Sequence, residues 1–167
     1  MTRETFDSQL NGLLSDLIQM SSLVEEAIKQ SVVALKQQNK DLARQVYQGD
    51  QVINERRFQI ENDSLTLIAT QSPMARDLRL VASILDITSE LERIGDYAKG
   101  IAKIAILTAD LPHIKPLIDI PRMADISSEM LHNALGAFIQ EDLESALSIP
   151  QQDDLVDSLY NQVYREL

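Results

Sequence analysis

The sequence predicts an all-α protein, and three observations lead to this class. Apolar residues recur at spacings of three and four along most of the chain, which is the helical period. The five glycines and five prolines are few, and most of the prolines lie between the periodic segments. Between Leu80 and Ala105 the alternation continues for about seven turns without a break.

Helix 1 is predicted from Glu4 to Gln38, where a continuous apolar seam indicates packing against other helices at shallow angles. Asn39 and Asp41 follow, and short polar side chains of this kind cap a helix N-terminus. Helix 2 is therefore predicted to run from this point to Gln71. The seam of helix 1 consists of Leu10, Leu13, Leu17, Met20, Val24, Ala27, Ser31 and Ala34.

Helix 3 is predicted to begin at the Ser72-Pro73 pair. Proline disfavours the α conformation in the residue before it and suits the first turn of a following helix. Gly95 and Gly100 lie inside helix 3, which indicates either close approach of a neighbouring backbone or sequence drift. The seam of this helix consists of Leu80, Ile84, Ile87, Leu91, Ile94, Ala98, Ile101 and Ala105.

A proline-rich segment from Thr108 to Pro121 should interrupt any helix and is the one candidate domain boundary. Beyond it, residues 123–167 align without gaps on residues 20–64, at an offset of 103 residues. We therefore expect tandem antiparallel three-helix bundles. Residues 1–108 would form the first bundle and residues 117–167 the start of a second, incomplete one, because its third helix is absent from this sequence.

Composition excludes several classes of function. The formal net charge of −11 favours cations and disfavours nucleic acid as partners. The absence of cysteine removes disulfides, thiolate zinc sites and iron–sulfur clusters. The first residues lack the apolar core of a secretory signal, and the longest apolar stretch, residues 101–107, is too short to span a bilayer. We expect a soluble protein, and the absence of cysteine fits a reducing compartment such as the cytoplasm.

Acidic pairs at i,i+4 spacing are the candidate functional residues. Residues four apart stand on one face of a helix, so two carboxylates at this spacing either share a cation or repel each other. Hard cations prefer several oxygen ligands, which two neighbouring helices could supply together. Asp86 and Glu90 have the same spacing, so a solvated acidic face is the simpler alternative for any single pair. The pairs of interest are Asp50 with Asn54, Glu92 with Asp96, and Asp153 with Asp157.

Neither histidine indicates catalysis. Glu129 and His132 form one Glu-x-x-His step, but a di-iron bundle needs two such steps and further glutamates. No basic residue follows His132 to hold a phosphoryl group, so we predict a surface or interface histidine. His113 lies in the proline-rich segment. The sequence contains no glycine-rich phosphate loop and no recognisable serine–histidine triad spacing.

Two blocks in and before helix 3 resemble the signature of the PhoU family, Q-x-P-x-A-x-D-L-R followed by L-E-R-I-G-D-x-A. Residues 71–79 read Q-S-P-M-A-R-D-L-R, and residues 91–98 read L-E-R-I-G-D-Y-A. Asp50, Ile53 and Asn54 lie where the family has D-x-x-I-D, and residues 153–157 resemble the same element in a second repeat. The resemblance extends over essentially the whole chain.

This resemblance implies a non-enzymatic, cytoplasmic negative regulator of phosphate uptake. It implies two three-helix bundles, each with a metal cluster held by acidic motifs; the metal would be iron, zinc, manganese or magnesium. The first cluster would use Asp50, Asn54, Glu92 and Asp96, and the second would use Asp153 and Asp157. Asn54 departs from the family's acid and should weaken the first site, because an amide brings no charge.

The implied partners are the ATPase subunit of an ABC phosphate transporter and a phosphate-sensor histidine kinase, with a homodimer as the implied assembly. Two alternatives come from other classes. One is a metal-dependent bundle enzyme of the di-iron type, which would need ligands that face inward. The other is a purely structural helical module, whose melting temperature should not respond to cations.

Overall fold

The structure, a computed structural model, describes residues 3–166. Within this range all regular secondary structure is helical, which confirms the predicted all-α class. The helices are α1 (Arg3–Gln37), α2 (Lys40–Gln71), α3 (Arg76–Thr108), α4 (Asp119–Gln140), α5 (Leu143–Ser148) and α6 (Pro150–Glu166). None of them is long and apolar enough to cross a membrane.

The turn between α1 and α2 forms as predicted. Asn39 is the N-cap of α2, and its side chain accepts hydrogen bonds from the backbone N–H groups of Asp41 and Leu42. These bonds satisfy two of the donors that a helix N-terminus leaves unpaired. Gln38, in the left-handed region at φ 55°, reverses the chain direction.

Helix 3 begins three residues later than predicted, so the placement of Pro73 in its first turn is wrong. Ser72 ends α2 in the left-handed conformation, with its N–H donating to the carbonyl of Ile68. Ala75 also has a positive φ of 48°, and α3 starts only at Arg76. Because Ser72 and Ala75 both have positive φ, a right-handed helix cannot continue through residues 72–75. Pro73 therefore lies in the loop between α2 and α3.

The prolines of the second half act differently from the prediction. Pro121 lies in the first turn of α4 rather than in the interrupting segment, which is compatible with helix because a first-turn N–H has no intrahelical partner. Pro150 separates α5 from α6. It has no N–H to donate to the carbonyl of Ala146, which accepts from Ile149 instead.

The turn between α4 and α5 repeats the turn between α1 and α2 at the predicted offset of 103 residues. Gln38 and Glu141 have the same φ of 55°. The next residue in each turn, Asn39 or Asp142, caps the following helix through its side chain. The N–H of each cap donates to a carbonyl five residues back, over 2.9 Å in both turns. The same local geometry at the predicted offset supports the internal repeat.

The core lies between α1, α2 and α3 and extends to α4. In α1, six of the eight predicted seam residues are buried, and the other two, Leu10 and Ala27, are half-buried. In α3, four of the eight predicted seam residues are buried and the other four are half-buried, and the buried face also includes Val81, Thr88, Gly95 and Ala102. The main cluster consists of Phe6, Leu13, Leu17, Met20, Val24, Ile28, Ile53, Ile60, Leu67, Val81, Ile84, Leu91, Ala98 and Leu135.

Helices α1, α2 and α3 all pack against one another, whereas α4 packs on α1. Helices α5 and α6 pack on α4, and within residues 3–166 their backbones do not pack against those of α1, α2 and α3. Only Leu159 is buried in α6, and no residue is buried in α5. The first three helices therefore form the tightly packed part of the fold.

Candidate metal centre

The polar surface between α2 and α3 is positioned by a close contact between these two helices. A Cβ built on Gly95 would lie 3.2 Å from Cδ1 of Ile53, tighter than ordinary side-chain contact. Gly95 is therefore packed tightly against a side chain, not against a neighbouring backbone, one of the two possibilities that the sequence left open. Nothing lies within 4 Å of a Cβ on Gly100. Because Asn54 and Asp96 follow Ile53 and Gly95 directly, the contact sets the two acidic motifs side by side.

Asp50 is the most enclosed member of the predicted site. Its side chain is only 5% exposed. Oδ2 accepts hydrogen bonds from Nζ of Lys99 at 2.6 Å and from Nδ2 of Asn54 at 2.9 Å. Oδ1 is buried and has no hydrogen-bond partner in the part of the chain that the structure describes. A buried carboxylate oxygen without a donor is an unfavourable arrangement that a cation would relieve.

Asn54 acts as a donor in this arrangement. Its Nδ2 donates to Oδ2 of Asp50 and also to the backbone carbonyl of Asp50, at 3.1 Å. The sequence predicts the amide oxygen as a metal ligand, whereas the observed contacts to Asp50 use the amide nitrogen. Asn54 therefore holds the Asp50 carboxylate in place from the following turn of α2.

Lys99 is the residue that sequence reasoning missed. Its Nζ lies 2.6 Å from Oδ2 of Asp50 on α2 and 3.8 Å from Oδ1 of Asp96 on its own helix. It also lies 5.6 Å from the ring centroid of Tyr47. The hydrogen bond with Asp50 raises the pKa of Lys99 above its ordinary value. A lysine three residues after an acid on the predicted site face was the available signal, since i,i+3 residues are neighbours on a helix.

Glu92 lies beside a second cation, the guanidinium of Arg57. Its Oε2 is 3.8 Å from Nη1 of Arg57, too long for a hydrogen bond. Nε of Arg57 lies 3.6 Å from Glu61 and, although buried, makes no hydrogen bond within residues 3–166. The side chain of Glu92 is 21% exposed and that of Asp96 is 54% exposed. The acids of α3 are thus more accessible than Asp50.

Three contacts between α2 and α3 run in antiparallel order, Asp50 with Lys99, Ile53 with Gly95, and Arg57 with Glu92. The structure therefore brings the four residues predicted for the first site to one helix pair. It also interleaves them with Lys99 and Arg57. No three acidic, histidine or cysteine side chains among the described residues are grouped closely enough to hold an ion as they stand. Carboxylate and amide oxygens suit a hard cation. In this structure the positive charges beside the acids are those of Lys99 and Arg57.

The second acidic pair lies elsewhere. Asp153 and Asp157 are exposed on α6, which contacts only α4 and α5 among the described helices. The two predicted sites are therefore separate. His132 is 75% exposed, with Nδ1 3.5 Å from the Glu25 carboxylate, which confirms a surface histidine. Nε2 of His113 lies 3.3 Å from the backbone carbonyl of Lys36.

The chain is an all-α bundle protein whose most distinctive polar feature is a charged cluster between two neighbouring helices, α2 and α3. The PhoU domain model matches residues 17–105 and 120–167. With most of its length matched by that model, this chain belongs to the PhoU family.

Relatives and solved structures agree with this assignment. The PhoU homolog of Aquifex aeolicus, a phosphate-specific transport system accessory protein, is 41% identical over 95% of this chain and 72% of its own length. The Escherichia coli protein of that name, PhoU, is 32% identical over 97% of this chain and 67% of its own. The crystal structure of PhoU from Pseudomonas aeruginosa superposes with a TM-score of 0.90 at 33% identity, covering 96% of this chain and 78% of the other.

Proposed function

We propose that this chain is an accessory protein of the phosphate-specific transport system that restrains phosphate uptake. The observation that carries the proposal is the similarity over nearly the whole chain to relatives with that name, including 41% identity to the Aquifex aeolicus protein. Those names describe accessory proteins, and we propose a non-catalytic role in the cytoplasm. The ATPase subunit of the ABC phosphate transporter and the phosphate-sensor histidine kinase are the proposed partners, and a homodimer is the proposed assembly.

The metal is the second part of the proposal. Asp50, Asn54, Glu92 and Asp96 would hold a divalent or trivalent cation, and Asp153 with Asp157 would contribute to a separate cluster. Carboxylates suit hard cations, and the unpartnered, buried Oδ1 of Asp50 is an oxygen that such an ion would satisfy. The ion would supply a fixed positive charge between α2 and α3. Asn54 would have to present its oxygen rather than its nitrogen.

The repeat supports the proposed division of the chain. Residues 1–108 would be the first PhoU repeat and residues 117–167 the start of the second, with the matching turns at Gln38 and Glu141 as corresponding points. A di-iron enzyme finds less support, because Asp96 is exposed on α3 rather than directed into the core.

Transport is tested in a bacterial strain that lacks its own PhoU. Expression of this chain should lower the uptake of labelled phosphate, and unchanged uptake despite soluble expression would contradict the regulatory role. Co-purification of the transporter's ATPase subunit and of the sensor kinase with this chain tests the partners, and light scattering tests the homodimer.

Metal binding is tested by the double substitution Glu92→Ala and Asp96→Ala. We expect loss of bound metal by elemental analysis with unchanged helicity by circular dichroism. The matched control is Asp86→Ala with Glu90→Ala, an exposed acidic pair at the same spacing on the same helix. Equal metal content in both double variants would reject the assignment and favour a solvated acidic face.

A further inference from the structure

The cation that links α2 and α3 is a side chain of the protein, the ammonium of Lys99. Nζ of Lys99 lies between the carboxylates of Asp50 and Asp96, one from each predicted motif. A cation held by both motifs would therefore lie close to this ammonium. An ion bound to the unpartnered Oδ1 of Asp50 would lie on the same buried carboxylate as the Lys99 ammonium, which is 2.6 Å from Oδ2, and two cations held this close together repel each other.

Asp50 and Lys99 differ in their freedom to move. The Asp50 side chain is 5% exposed and is fixed by Asn54, so its charge needs a nearby cation at all times. The Lys99 side chain is 33% exposed and has a flexible four-carbon stem. The ring of Tyr47, whose centroid is 5.6 Å from Nζ, offers the ammonium another favourable position.

We propose that Lys99 is an internal counter-ion of Asp50, and that a divalent cation binds Asp50 and Asp96 by displacing the Lys99 ammonium. The inference rests on the proposed metal site and adds a regulatory step to it. Binding becomes an exchange of one cation for another rather than the filling of an empty cage. Two consequences follow. The fold does not require bound metal, and the affinity of the site for metal is lower than its acidic residues alone would give.

The test compares Mn²⁺ binding by the wild-type chain, Lys99→Met and Lys99→Gln in isothermal titration calorimetry at fixed pH. Removing the competing ammonium should tighten Mn²⁺ binding by about tenfold or more, since a hydrogen bond between charged groups is worth at least one such factor. Lys103→Met is the matched control, one turn further along α3 and exposed, and its affinity should stay within about twofold of wild type.

Melting temperatures give a second, independent measurement. Without metal, Lys99→Met should melt below wild type, because the buried Asp50 carboxylate loses its counter-ion. Saturating Mn²⁺ should raise the melting temperature of Lys99→Met more than that of wild type. Lys99→Gln retains an N–H donor for Asp50, so it tests the competition if the methionine variant does not fold.

The outcomes separate the two proposals. Equal or weaker Mn²⁺ binding by both Lys99 variants, with binding by wild type, would overturn the counter-ion role and leave the metal site standing. Absence of Mn²⁺ binding in wild type and in both variants would overturn both. Binding by the variants that is tighter than wild type, and that Glu92→Ala with Asp96→Ala abolishes, would support both.

Discussion

Helix α2 and the α5–α6 segment lie 103 residues apart, the offset of the predicted repeat, yet they differ in how far they are buried. Asp50 on α2 is buried, whereas Asp153, 103 residues later, is exposed. Ile60 is fully buried, whereas its counterpart Val163 is half-buried. The difference follows from the neighbours: α2 packs between α1 and α3, while α6 packs only on α4 and α5 within the described range. The same local pattern therefore acquires different properties from what lies beside it.

The largest expected effect comes from the paired apolar positions. Ile60→Ala should lower the free energy of unfolding by about 3 kcal/mol, because it removes fully buried atoms and leaves a cavity. Val163→Ala removes fewer atoms from a half-buried position and should cost about 1 kcal/mol or less. Urea unfolding measures both. Equal losses would mean that α6 is as well packed as α2.

The acidic counterparts should differ next. Asp50→Ala removes the partner of Lys99 and should cost about 2 kcal/mol in the absence of metal. Asp153→Ala changes an exposed side chain and should stay within about 0.5 kcal/mol of wild type. Chemical denaturation in the presence of a chelator gives both values, and a small effect at Asp50 would argue against a structural ion pair there.

The N-cap residues of α2 and α5, Asn39 and Asp142, should also differ in their effect on stability. Asn39→Ala should cost about 1 kcal/mol through the loss of its two backbone hydrogen bonds. Asp142→Ala should reduce hydrogen-exchange protection in α5, without a comparable effect on the global transition, because no residue of α5 is buried. Global destabilisation by Asp142→Ala comparable to that by Asn39→Ala would show that α5 unfolds with the core.

The Asp142 cap should also depend on pH. Hydrogen bonds from Ser145 lower the pKa of Asp142 below its ordinary value of 3.8. A lowered pKa in the folded state means that the stabilisation is complete above the ordinary pKa and is lost as the pH falls through the lowered one. The difference in exchange protection between wild type and Asp142→Ala should therefore be full at pH 6 and shrink below about pH 4. A difference that is independent of pH would exclude the carboxylate as the cap.

The smallest effect concerns the two glycines of α3. Gly100→Ala should stabilise the protein by about 0.5 to 1 kcal/mol, because alanine favours the helix and nothing lies near the new Cβ. Gly95→Ala should lose this gain, since its Cβ would press on Ile53 at 3.2 Å. Thermal unfolding of the two variants compares them directly, and equal stabilisation would mean that α2 and α3 can separate without cost.

Much of the local structure was predictable from the sequence. The helical period and the cap at Asn39 depend on residues close together in the chain, and the structure confirms them. The matching turns at Gln38 and Glu141 support the repeat at a 103-residue offset, which stays a prediction. The misplaced start of helix 3 and the unexpected break at Pro150 are also local. They depend on backbone conformations, such as the positive φ of Ser72 and Ala75, that residue type indicates only weakly.

The candidate site likewise has features that were predictable from the sequence and others that were not. Residue spacing alone shows which acids share a helix face, because i,i+4 spacing places them there whatever surrounds the helix. The burial of Asp50 and the exposure of Asp153 depend on the tertiary structure. The same holds for the ion pair of Asp50 with Lys99, which is 49 residues away in the chain. Burial and ion pairing depend on which helix lies alongside, and helix packing joins residues that no local pattern relates.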